Sequence, residues 1–506
     1  MSHSNSTRST LGGLVACVVV IVSYIVRLSS SHSPLTDPFA ADAQSTSLVP
    51  NEVSRLDGDA SRSTTISFVH FNDFHAHYQP KDYGDQVVSP LSLIRGYYDQ
   101  VKAENPHTLF CSAGDEMEKG SLVEVVSHGV STIEIYKHLG LDLRAIGNHD
   151  FGYGLETLRR FVTEPGDVAL CANQSMGTNY HQRTVAGVRI GVFSMVCQPW
   201  DERDEQYSGA YFNGVNHRYD FVEVAQEIVR AHRRDVDLLF MLSHAGIETD
   251  RDVAAKVPGL DFIIGGHSHE LLSQAERTRR GVVIVQAGSF GEFVGRLDIQ
   301  VDAHDHKMRS YRYGVKAVHP ANMTANASLE TAIREICHRL GPDVDTPLMR
   351  IDSELRRSEV ARLAGQCAME VLKVSAAVMD TTTVWGRLQA GLRSRQDFLD
   401  CFRMEIQPAG THGFNSLVSA TIRKSDWDLM RRETSNRFVF VGDPVADPAG
   451  NLRVAIQRRT ALRLQNFFRG VSAPTAIQFE MEVWEAMSRY ATNHPAVARP
   501  AERRSP

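Results

Sequence analysis

Five short segments of this chain carry the oxygen and nitrogen side chains that commonly bind divalent metal ions. They are residues 72–75 (Asn-Asp-Phe-His), 113–115 (Ala-Gly-Asp), 147–150 (Gly-Asn-His-Asp), 243–246 (Ser-His-Ala-Gly) and 265–269 (Gly-Gly-His-Ser-His). Carboxylate, amide and imidazole donors without a thiolate suit Mn, Fe, Zn, Co or Mg rather than a structural zinc cluster. The segments therefore predict a divalent metal site of mixed nitrogen and oxygen ligands.

The spacing within these segments suits a site that holds more than one ion. Asp73 with His75, and His267 with His269, place two donors on one side of an extended segment or tight loop. Neighbouring glycines let the backbone turn sharply and approach an ion. Two ions roughly 3.5–4 Å apart need a shared ligand, and a carboxylate such as Asp115 can bridge them.

The elements that must position these segments are short apolar runs rich in β-branched residues. The runs cover residues 66–71, 108–111, 143–146, 168–171, 188–196, 238–242, 262–264 and 282–285. Helix-like stretches alternate with them, such as 219–233 with an apolar face. This alternation predicts an α/β layered domain, and ligands bind such sheets beyond the carboxyl ends of the strands. Each motif alone is common, but five in succession at strand ends are hard to explain as packing.

Taken in order, the five motifs resemble those of the calcineurin-like metallophosphoesterases. Residues 71–75 (Phe-Asn-Asp-Phe-His) and 286–291 (Gln-Ala-Gly-Ser-Phe-Gly) look specifically like the 5'-nucleotidase family. The resemblance covers about residues 64–300. It implies a four-layer α/β/β/α metallophosphoesterase domain, followed by a smaller α+β C-terminal domain.

The resemblance also implies a role for each motif residue. One divalent ion would be held by Asp73, His75 and His269, the other by Asn148, His244 and His267, with Asp115 bridging. His149 would be the catalytic acid, or would stabilise the transition state, at the leaving group. The nucleophile would be a water whose pKa falls from about 15.7 to roughly 7 on binding the metal.

One position departs from the 5'-nucleotidase pattern. That family usually carries an aspartate three residues after the catalytic histidine, and Gly152 stands there in this chain. Either Asp150, taken here as a second catalytic candidate, or Glu118 could orient His149 instead. Without any orienting group, the expected loss is one acid–base contribution of ~10²–10⁴-fold.

The second domain resembles the 5'-nucleotidase substrate domain only faintly. Residues 357–359 (Arg-Ser-Glu) look like its opening, and 384–388 (Val-Trp-Gly-Arg-Leu) look like its Asn-x-Gly-Gly-x-Arg element without the Asn and one Gly. Arg387 is therefore the candidate substrate-binding residue, with an exposed structural arginine as the alternative. Phe438 and Phe440 alternate with valines, which favours strand packing over contact with a base.

The flanking segments predict entry into the secretory pathway. An apolar run at 11–26 lies between Arg8 and Arg27, which is typical of a signal peptide or an uncleaved signal anchor. The predicted organisation is a signal peptide or anchor (1–30), a flexible stalk (31–62), the metallophosphoesterase domain (63–320), an interdomain linker and helix (321–344), the substrate domain (345–490) and a disordered tail (491–506). The protein would be secreted or membrane-anchored, and seven cysteines do not form a disulfide framework.

The charge composition limits the classes of molecule that the protein is expected to bind. A formal charge of -6, from 54 Lys+Arg and 60 Asp+Glu, leaves no basic footprint for nucleic acid. The predicted function is release of phosphate from a small phosphate ester, a nucleotide, by an enzyme with two divalent metal ions. Two alternatives stay open: a cyclic-nucleotide phosphodiesterase or nucleotide-sugar pyrophosphatase of the same superfamily, and a catalytically weakened binding protein on this scaffold.

Overall fold

The computed structural model describes residues 63–197, 215–402, 416–432 and 436–494. The predicted signal peptide or anchor (1–30) and stalk (31–62) lie outside the described residues, as do residues 495–506 of the predicted tail. The last helix, Val483–Asn493, includes residues 491–493 of the predicted disordered tail. No helix in the described ranges is both long and apolar enough to cross a membrane.

In the described part of residues 63–264 the strands and helices mostly alternate, and they mix more freely thereafter. The strands are β1 (Ser63–Phe71), β2 (Lys81–Asp82), β3 (Val87–Val88), β4 (Thr108–Ser112), β5 (Leu143–Ala145), β6 (Val168–Leu170), β7 (His181–Val185), β8 (Val188–Phe193), β9 (Leu238–Leu242), β10 (Phe262–Ile264), β11 (Glu276–Arg277), β12 (Val283–Val285), β13 (Phe293–Asp302), β14 (Met308–Ala317), β15 (Met349–Ile351), β16 (Ala376–Asp380), β17 (Gly391–Arg393), β18 (Ser416–Arg423), β19 (Phe438–Val441), β20 (Asn451–Gln457) and β21 (Thr475–Glu482). The α-helices are Pro90–Glu104, Leu122–Ser127, Val130–Leu139, Gly154–Thr163, Phe221–His232, Ile247–Lys256, Ala327–Leu340, Arg357–Leu372, Arg395–Asp400, Lys424–Arg432, Arg458–Leu462, Leu464–Phe467 and Val483–Asn493.

Two six-stranded sheets form the centre of the first domain. Their strand orders are β14-β13-β1-β4-β5-β6 and β11-β12-β10-β9-β8-β7. Strands β1, β4, β5 and β6 run parallel, as do β8, β9, β10 and β12. The sheets pack face to face through apolar side chains, with Phe68 of one sheet 5.3 Å from Phe240 and 5.1 Å from Phe262 of the other, between ring centroids.

Helices cover the outer face of each sheet. Helix Pro90–Glu104 packs on the first sheet with its apolar residues buried, and helices Phe221–His232 and Ile247–Lys256 pack on the second. Burial of each apolar helix face against the sheet supplies the main stabilisation of such layers. The predicted four-layer α/β/β/α arrangement is confirmed.

The helix predicted to connect the two domains belongs to the outer layer of the first. Ala327–Leu340 packs beside helix Val130–Leu139, and Leu329 and Ile333 lie in the core beneath the first sheet. The sequence pattern alone does not show this docking, because an amphipathic helix can bury its apolar face on either neighbouring domain.

We expect a Gly96→Ala substitution to loosen this docked helix. A Cβ added at Gly96 would lie 1.7 Å from the carbonyl oxygen of Thr324, just before helix Ala327–Leu340 begins. Overpacking of this kind costs about 1–3 kcal/mol of unfolding free energy, measurable by thermal or urea denaturation. The matched control is Gln100→Ala, which lies on the exposed side of helix Pro90–Glu104, the helix that also contains Gly96. This control should change the unfolding free energy by about 0.5 kcal/mol or less. Equal stability of the two variants would contradict the close contact.

The second domain is built on a five-stranded sheet of order β19-β16-β20-β18-β21. Helices Arg357–Leu372 and Val483–Asn493 cover one face of this sheet, and helix Lys424–Arg432 with two shorter helices covers the other. The predicted smaller α+β domain is confirmed. Phe438 is buried in the core of this sheet, as its alternation with valine predicted.

The cysteines of the described ranges lie in the buried cores of the two domains. Six of the seven lie in the described ranges, and each is a buried free thiol.

Candidate metal centre

The predicted ligands meet at one edge of the two stacked sheets. The segments that carry Asp73, Asp115 and Asn148 follow β1, β4 and β5, and those that carry His244 and His267 follow β9 and β10. These strands are parallel within each sheet, so their carboxyl ends lie together. Residues separated by nearly 200 positions therefore share one site.

Six of the seven predicted ligands form two groups of three. One group is Asp73, His75 and His269, and the other is Asp115, His244 and His267; the donor atoms within each group lie within 4.8 Å of one another. The seventh, Asn148, places its Oδ1 3.0 Å from His267 Nδ1 and so adjoins the second group. The structure brings together the ligand sets that the sequence predicted.

Asp115 lies between the two groups. Its Oδ2 is 3.6 Å from His75 Nε2 in the first group and 3.1 Å from His244 Nε2 in the second. Its Oδ1 accepts the backbone N–H of His149 at 2.8 Å, which anchors the carboxylate. One carboxylate placed between two ligand groups is the arrangement that a shared ligand requires.

The histidine rings are oriented to offer lone pairs to an ion. His75 Nδ1 lies 3.1 Å from the Met117 carbonyl oxygen and His244 Nδ1 lies 2.7 Å from the Ala113 carbonyl oxygen. A carbonyl only accepts, so each Nδ1 carries the proton and each Nε2 is left as a ligand nitrogen.

Two observations show that these residues fit a divalent ion. His75 Nε2 and His269 Nε2 lie 3.3 Å apart, close to the roughly 3.3 Å between two imidazole nitrogens bound at about 2.05 Å in tetrahedral geometry. His244 Nε2 is buried and makes no hydrogen bond of ordinary geometry within the described residues, although Asp115 Oδ2 lies 3.1 Å away. An ion held between that nitrogen and the carboxylate oxygen would satisfy both buried atoms.

The electrostatics of the site favour positive charge. Burial by itself raises the pKa of Asp115, yet the neighbouring imidazoles of His244 and His149 outweigh it and hold that pKa well below its usual value. Burial likewise lowers the pKa of His244, but Asp115 raises it to about 10. The pair thus attracts a cation, whether a proton or a metal ion.

The ligand loops hold an uncommon backbone conformation. Asp73, His75, Asp115, His267 and His269 all have φ between 50° and 73°, in the left-handed region. Non-glycine residues there cost roughly 1–3 kcal/mol each and cluster at functional sites, where the surrounding structure compensates. The strain is consistent with loops shaped for ligand geometry rather than for local stability.

His149 stands beside the ligand groups and is oriented by Glu118. Its Nδ1 contacts Glu118 Oε2, while its Nε2 lies 3.1 Å from Lys119 Nζ. A Cβ at Gly152 would lie 2.8 Å from Glu118 Oε1, so the carboxylate occupies the space that a side chain at position 152 would need. Of the two candidate acids, Glu118 is the one that reaches the ring.

Asp150 is a loop-positioning residue, which corrects its prediction as a catalytic residue. Its Oδ1 accepts the backbone N–H groups of Glu116 and Met117 at 2.9 and 3.2 Å, and its Oδ2 accepts that of Gly147 at 2.8 Å. Burial raises the pKa of Asp150 to about 6. Both oxygens are turned toward backbone amides, so the carboxylate joins two ligand loops instead of orienting His149.

Lys119 is the site residue that sequence reasoning missed. Burial lowers the pKa of His149 well below its usual value, and the charge of Lys119 lowers it further, which keeps the imidazole neutral. The Nδ1 proton then faces Glu118, and the Nε2 lone pair accepts from Lys119. The only sequence signal was the position of a lysine next to Glu118, since no spacing rule distinguishes it from a surface lysine.

Arg387, the predicted substrate-binding residue, lies in the second domain just before β17. Its Nη1 donates to Glu354 Oε1 at 3.0 Å, and its side chain is 46% exposed. This contact lies within the second domain, so a role toward substrate stays a prediction.

Residues 66–271 match the family model described as calcineurin-like phosphoesterase. This part of the chain is a calcineurin-like phosphoesterase domain. The matched range contains all seven predicted ligands, and it agrees with the resemblance carried by the five motifs.

Curated relatives match a larger share of the chain than this domain occupies. A 5'-nucleotidase of Mus musculus is 25% identical over 292 residues, which are 50% of this chain and 49% of that protein. Protein UshA of Yersinia enterocolitica is 24% identical over 501 residues, 84% of this chain and 87% of that protein. The chain spans about half the length of several other curated 5'-nucleotidases that it matches.

A solved structure resembles both domains. The 5'-nucleotidase precursor of Thermus thermophilus superposes with a TM-score of 0.64 at 19% identity, covering 86% of this chain and 97% of that one. At this identity the similarity shows a shared fold. The calcineurin-like phosphoesterase domain followed by a second α+β domain is therefore the architecture of that structure too.

Proposed function

We propose that this protein hydrolyses phosphate esters with two divalent metal ions bound at the ligand groups around Asp115. The observation that carries the proposal is the shared position of the Asp115 carboxylate, 3.1 and 3.6 Å from histidines of the two groups, beside the His149–Glu118 pair. The family match over residues 66–271 supports the same chemistry.

The residues of the site would have two roles, the binding of the metal ions and the transfer of a proton to the leaving group. Bound ions would neutralise phosphoryl charge and make water a stronger acid, and therefore a nucleophile at neutral pH. Asp73, His75, Asp115 and the other predicted ligands would hold these ions in place. His149, whose ring lies 4.9 Å from that of His75 between centroids, would exchange a proton with the leaving oxygen through Nε2.

Glu118 makes this proton exchange easier. Its carboxylate contacts His149 Nδ1, keeps the proton on that nitrogen and stabilises the ring when Nε2 becomes protonated. An incoming phosphoryl group adds negative charge near Nε2, which favours its protonation. Lys119 Nζ, already within 3.1 Å of that nitrogen, is placed to contact a phosphoryl or leaving-group oxygen.

We further propose a nucleotide as the substrate. The support is the similarity to the mouse 5'-nucleotidase and the presence of a second domain like that of the Thermus 5'-nucleotidase precursor. The second domain would recognise the nucleoside while the metal centre acts on the phosphate. Arg387 is the proposed contact from that domain.

Phosphate release by the purified full chain tests the function. The protein is stripped of metal, reloaded with Mn, Zn or Co, and assayed with nucleoside monophosphates, cyclic nucleotides, a nucleotide sugar and an artificial diester, beside His149→Ala. Metal-dependent release from monophosphates supports a 5'-nucleotidase-like hydrolase. Preference for a cyclic nucleotide or the diester would move the assignment to a phosphodiesterase. Two bound ions without turnover above His149→Ala would favour a binding protein.

We expect Lys119→Met to lower kcat/KM for a phosphate monoester about 10- to 100-fold, the value of a hydrogen bond to a charged group. Bound metal should stay unchanged, because Lys119 is not among the ligands. Lys119→Arg should retain more activity since it keeps the charge. The matched control is Lys137→Met, which removes a lysine paired with Glu164 on the surface. A kcat/KM for Lys119→Met within twofold of the wild type would contradict its contact with substrate.

A further inference from the structure

The loop that carries Glu118 and Lys119 is held from outside the first domain. This loop is followed directly by Gly120, Ser121 and the short helix Leu122–Ser127. The Gly120 carbonyl and the Leu122 N–H are both bound by one side chain, that of Gln396, which belongs to helix Arg395–Asp400 beyond β15. The two partners are separated by more than 270 positions in the chain.

The Gln396 amide satisfies both backbone groups at once. Its Oε1 accepts the Leu122 N–H at 2.7 Å, and its Nε2 donates to the Gly120 carbonyl oxygen at 2.8 Å and to Asp400 Oδ1 at 2.7 Å. Gln396 is only 8% exposed, and its hydrogen bonds to the Leu122 N–H and the Gly120 carbonyl are both buried. Buried hydrogen bonds of this kind define a loop position because the unpaired alternative is costly.

Helix Arg395–Asp400 is itself firmly placed. Ser394 and Asp397 form a capping box at its N-terminus. Leu399 is buried in the same core cluster as Leu122 and Val123 of the first domain. The position of the Gln396 amide is therefore defined by the packing and capping of its helix, independently of its hydrogen bonds to the loop.

We propose that Gln396 is a positioning residue for catalysis, which sets the loop that presents Glu118 and Lys119 to His149. The second domain would thereby contribute to the reaction without touching the reacting atoms, and any shift of its helix Arg395–Asp400 would move the acid that orients His149. This inference rests on the proposed phosphate-ester hydrolysis, but the hydrogen bonds of the loop can be tested without activity.

The central test compares Gln396→Met with Gln457→Met in the full chain. Gln457 is the matched control, because its amide also bridges two groups, the Asp380 N–H and the Thr383 hydroxyl, each at 2.7 Å, but deep in the second domain. Gln396→Met should lower kcat about 10- to 100-fold, as loop misplacement does, with KM and bound metal within about twofold. Gln457→Met should leave kcat within about threefold.

A double-mutant cycle separates positioning from a general structural defect. If Gln396 acts through Glu118, its removal should cost little more in a Glu118→Ala background, so the two losses in kcat are not additive. Fully additive losses would overturn the proposal. Thermal unfolding confirms that each variant is folded, and Gln396→Asn, which keeps the amide but is one methylene shorter, replaces Gln396→Met if the latter does not fold.

Hydrogen exchange gives a readout independent of turnover. The Leu122 amide should exchange at least about 10-fold faster in Gln396→Met, and not in Gln457→Met, because local opening then lacks that bond. Unchanged exchange would overturn the proposal whether or not the protein is active. Faster exchange in a protein without metal-dependent turnover would instead keep the contact and reject the proposed function.

Discussion

Replacing Asp115 with asparagine is expected to lower bound metal from two ions per chain to one or fewer, and to lower turnover by at least about 10³-fold. The carboxylate lies between the two ligand groups. Its negative charge interacts favourably with the imidazoles around it, which hold the pKa of Asp115 well below its usual value. Asparagine has nearly the same shape as aspartate, and its amide oxygen can still accept the His149 N–H. It lacks the negative charge and the second oxygen that could bind a metal ion. Metal-ion stabilisation of the transition state contributes several kcal/mol, and each 1.36 kcal/mol is about tenfold in rate.

The measurement is metal content by mass spectrometry of the purified protein, followed by phosphate release. Asp298→Asn is the matched control. Asp298 is also a buried aspartate of the first domain, but it accepts from the Ser67 hydroxyl and pairs with Arg296 and Arg312. This control should keep both ions even if its melting temperature falls. Full metal occupancy and turnover in Asp115→Asn would show that the two groups do not share this ligand.

Removing the carboxylate at position 118 is expected to lower the activity, and adding a carboxylate at position 152 of the same variant is expected to restore part of it. Glu118→Ala should lower kcat about 10²–10⁴-fold with bound metal unchanged, because His149 loses the group that keeps its proton on Nδ1. Gly152→Asp alone should also lower kcat, since its Cβ would lie 2.8 Å from Glu118 Oε1. In the double variant the alanine at 118 frees that space for the new carboxylate.

The backbone at position 152 permits the exchange. Gly152 has φ −54° and ψ −33°, an ordinary right-handed helical conformation that aspartate adopts without strain. We expect the double variant Glu118→Ala/Gly152→Asp to recover at least about tenfold in kcat over Glu118→Ala, a fraction of one acid–base contribution. Glu118→Ala/Gly152→Ala is the control, because it fills space without a carboxylate and should recover nothing. Equal kcat in the two double variants would show that an acid at 152 does not reach the ring.

These two predictions concern different parts of one site. Loss of the Asp115 carboxylate removes at least one ion and most of the turnover. Loss of Glu118 leaves the ions and removes only the orientation of His149. Metal content measured beside kcat distinguishes the two, and a variant that lost both would point to collapse of the ligand loops instead.

The sequence by itself determined the donor atoms and the layers that hold them. Alternating apolar runs and amphipathic helices specify sheets covered by helices, because each apolar face must be buried. Polar segments that follow parallel strands must meet at the carboxyl edge. For that reason the groups around Asp73 and Asp115 could be predicted from local patterns, although their members lie nearly 200 residues apart.

Only the tertiary structure decided which neighbours each side chain faces. Asp150 and Glu118 are equally plausible acids in sequence, yet Asp150 turns to three backbone amides and Glu118 fills the space left by Gly152. The hydrogen bond from the Leu122 N–H to Gln396, just after Glu118 and Lys119, joins residues far apart in the chain. The physical reason is that periodicity and propensity report one chain segment at a time, whereas side-chain direction and long-range hydrogen bonds depend on how several loops pack together.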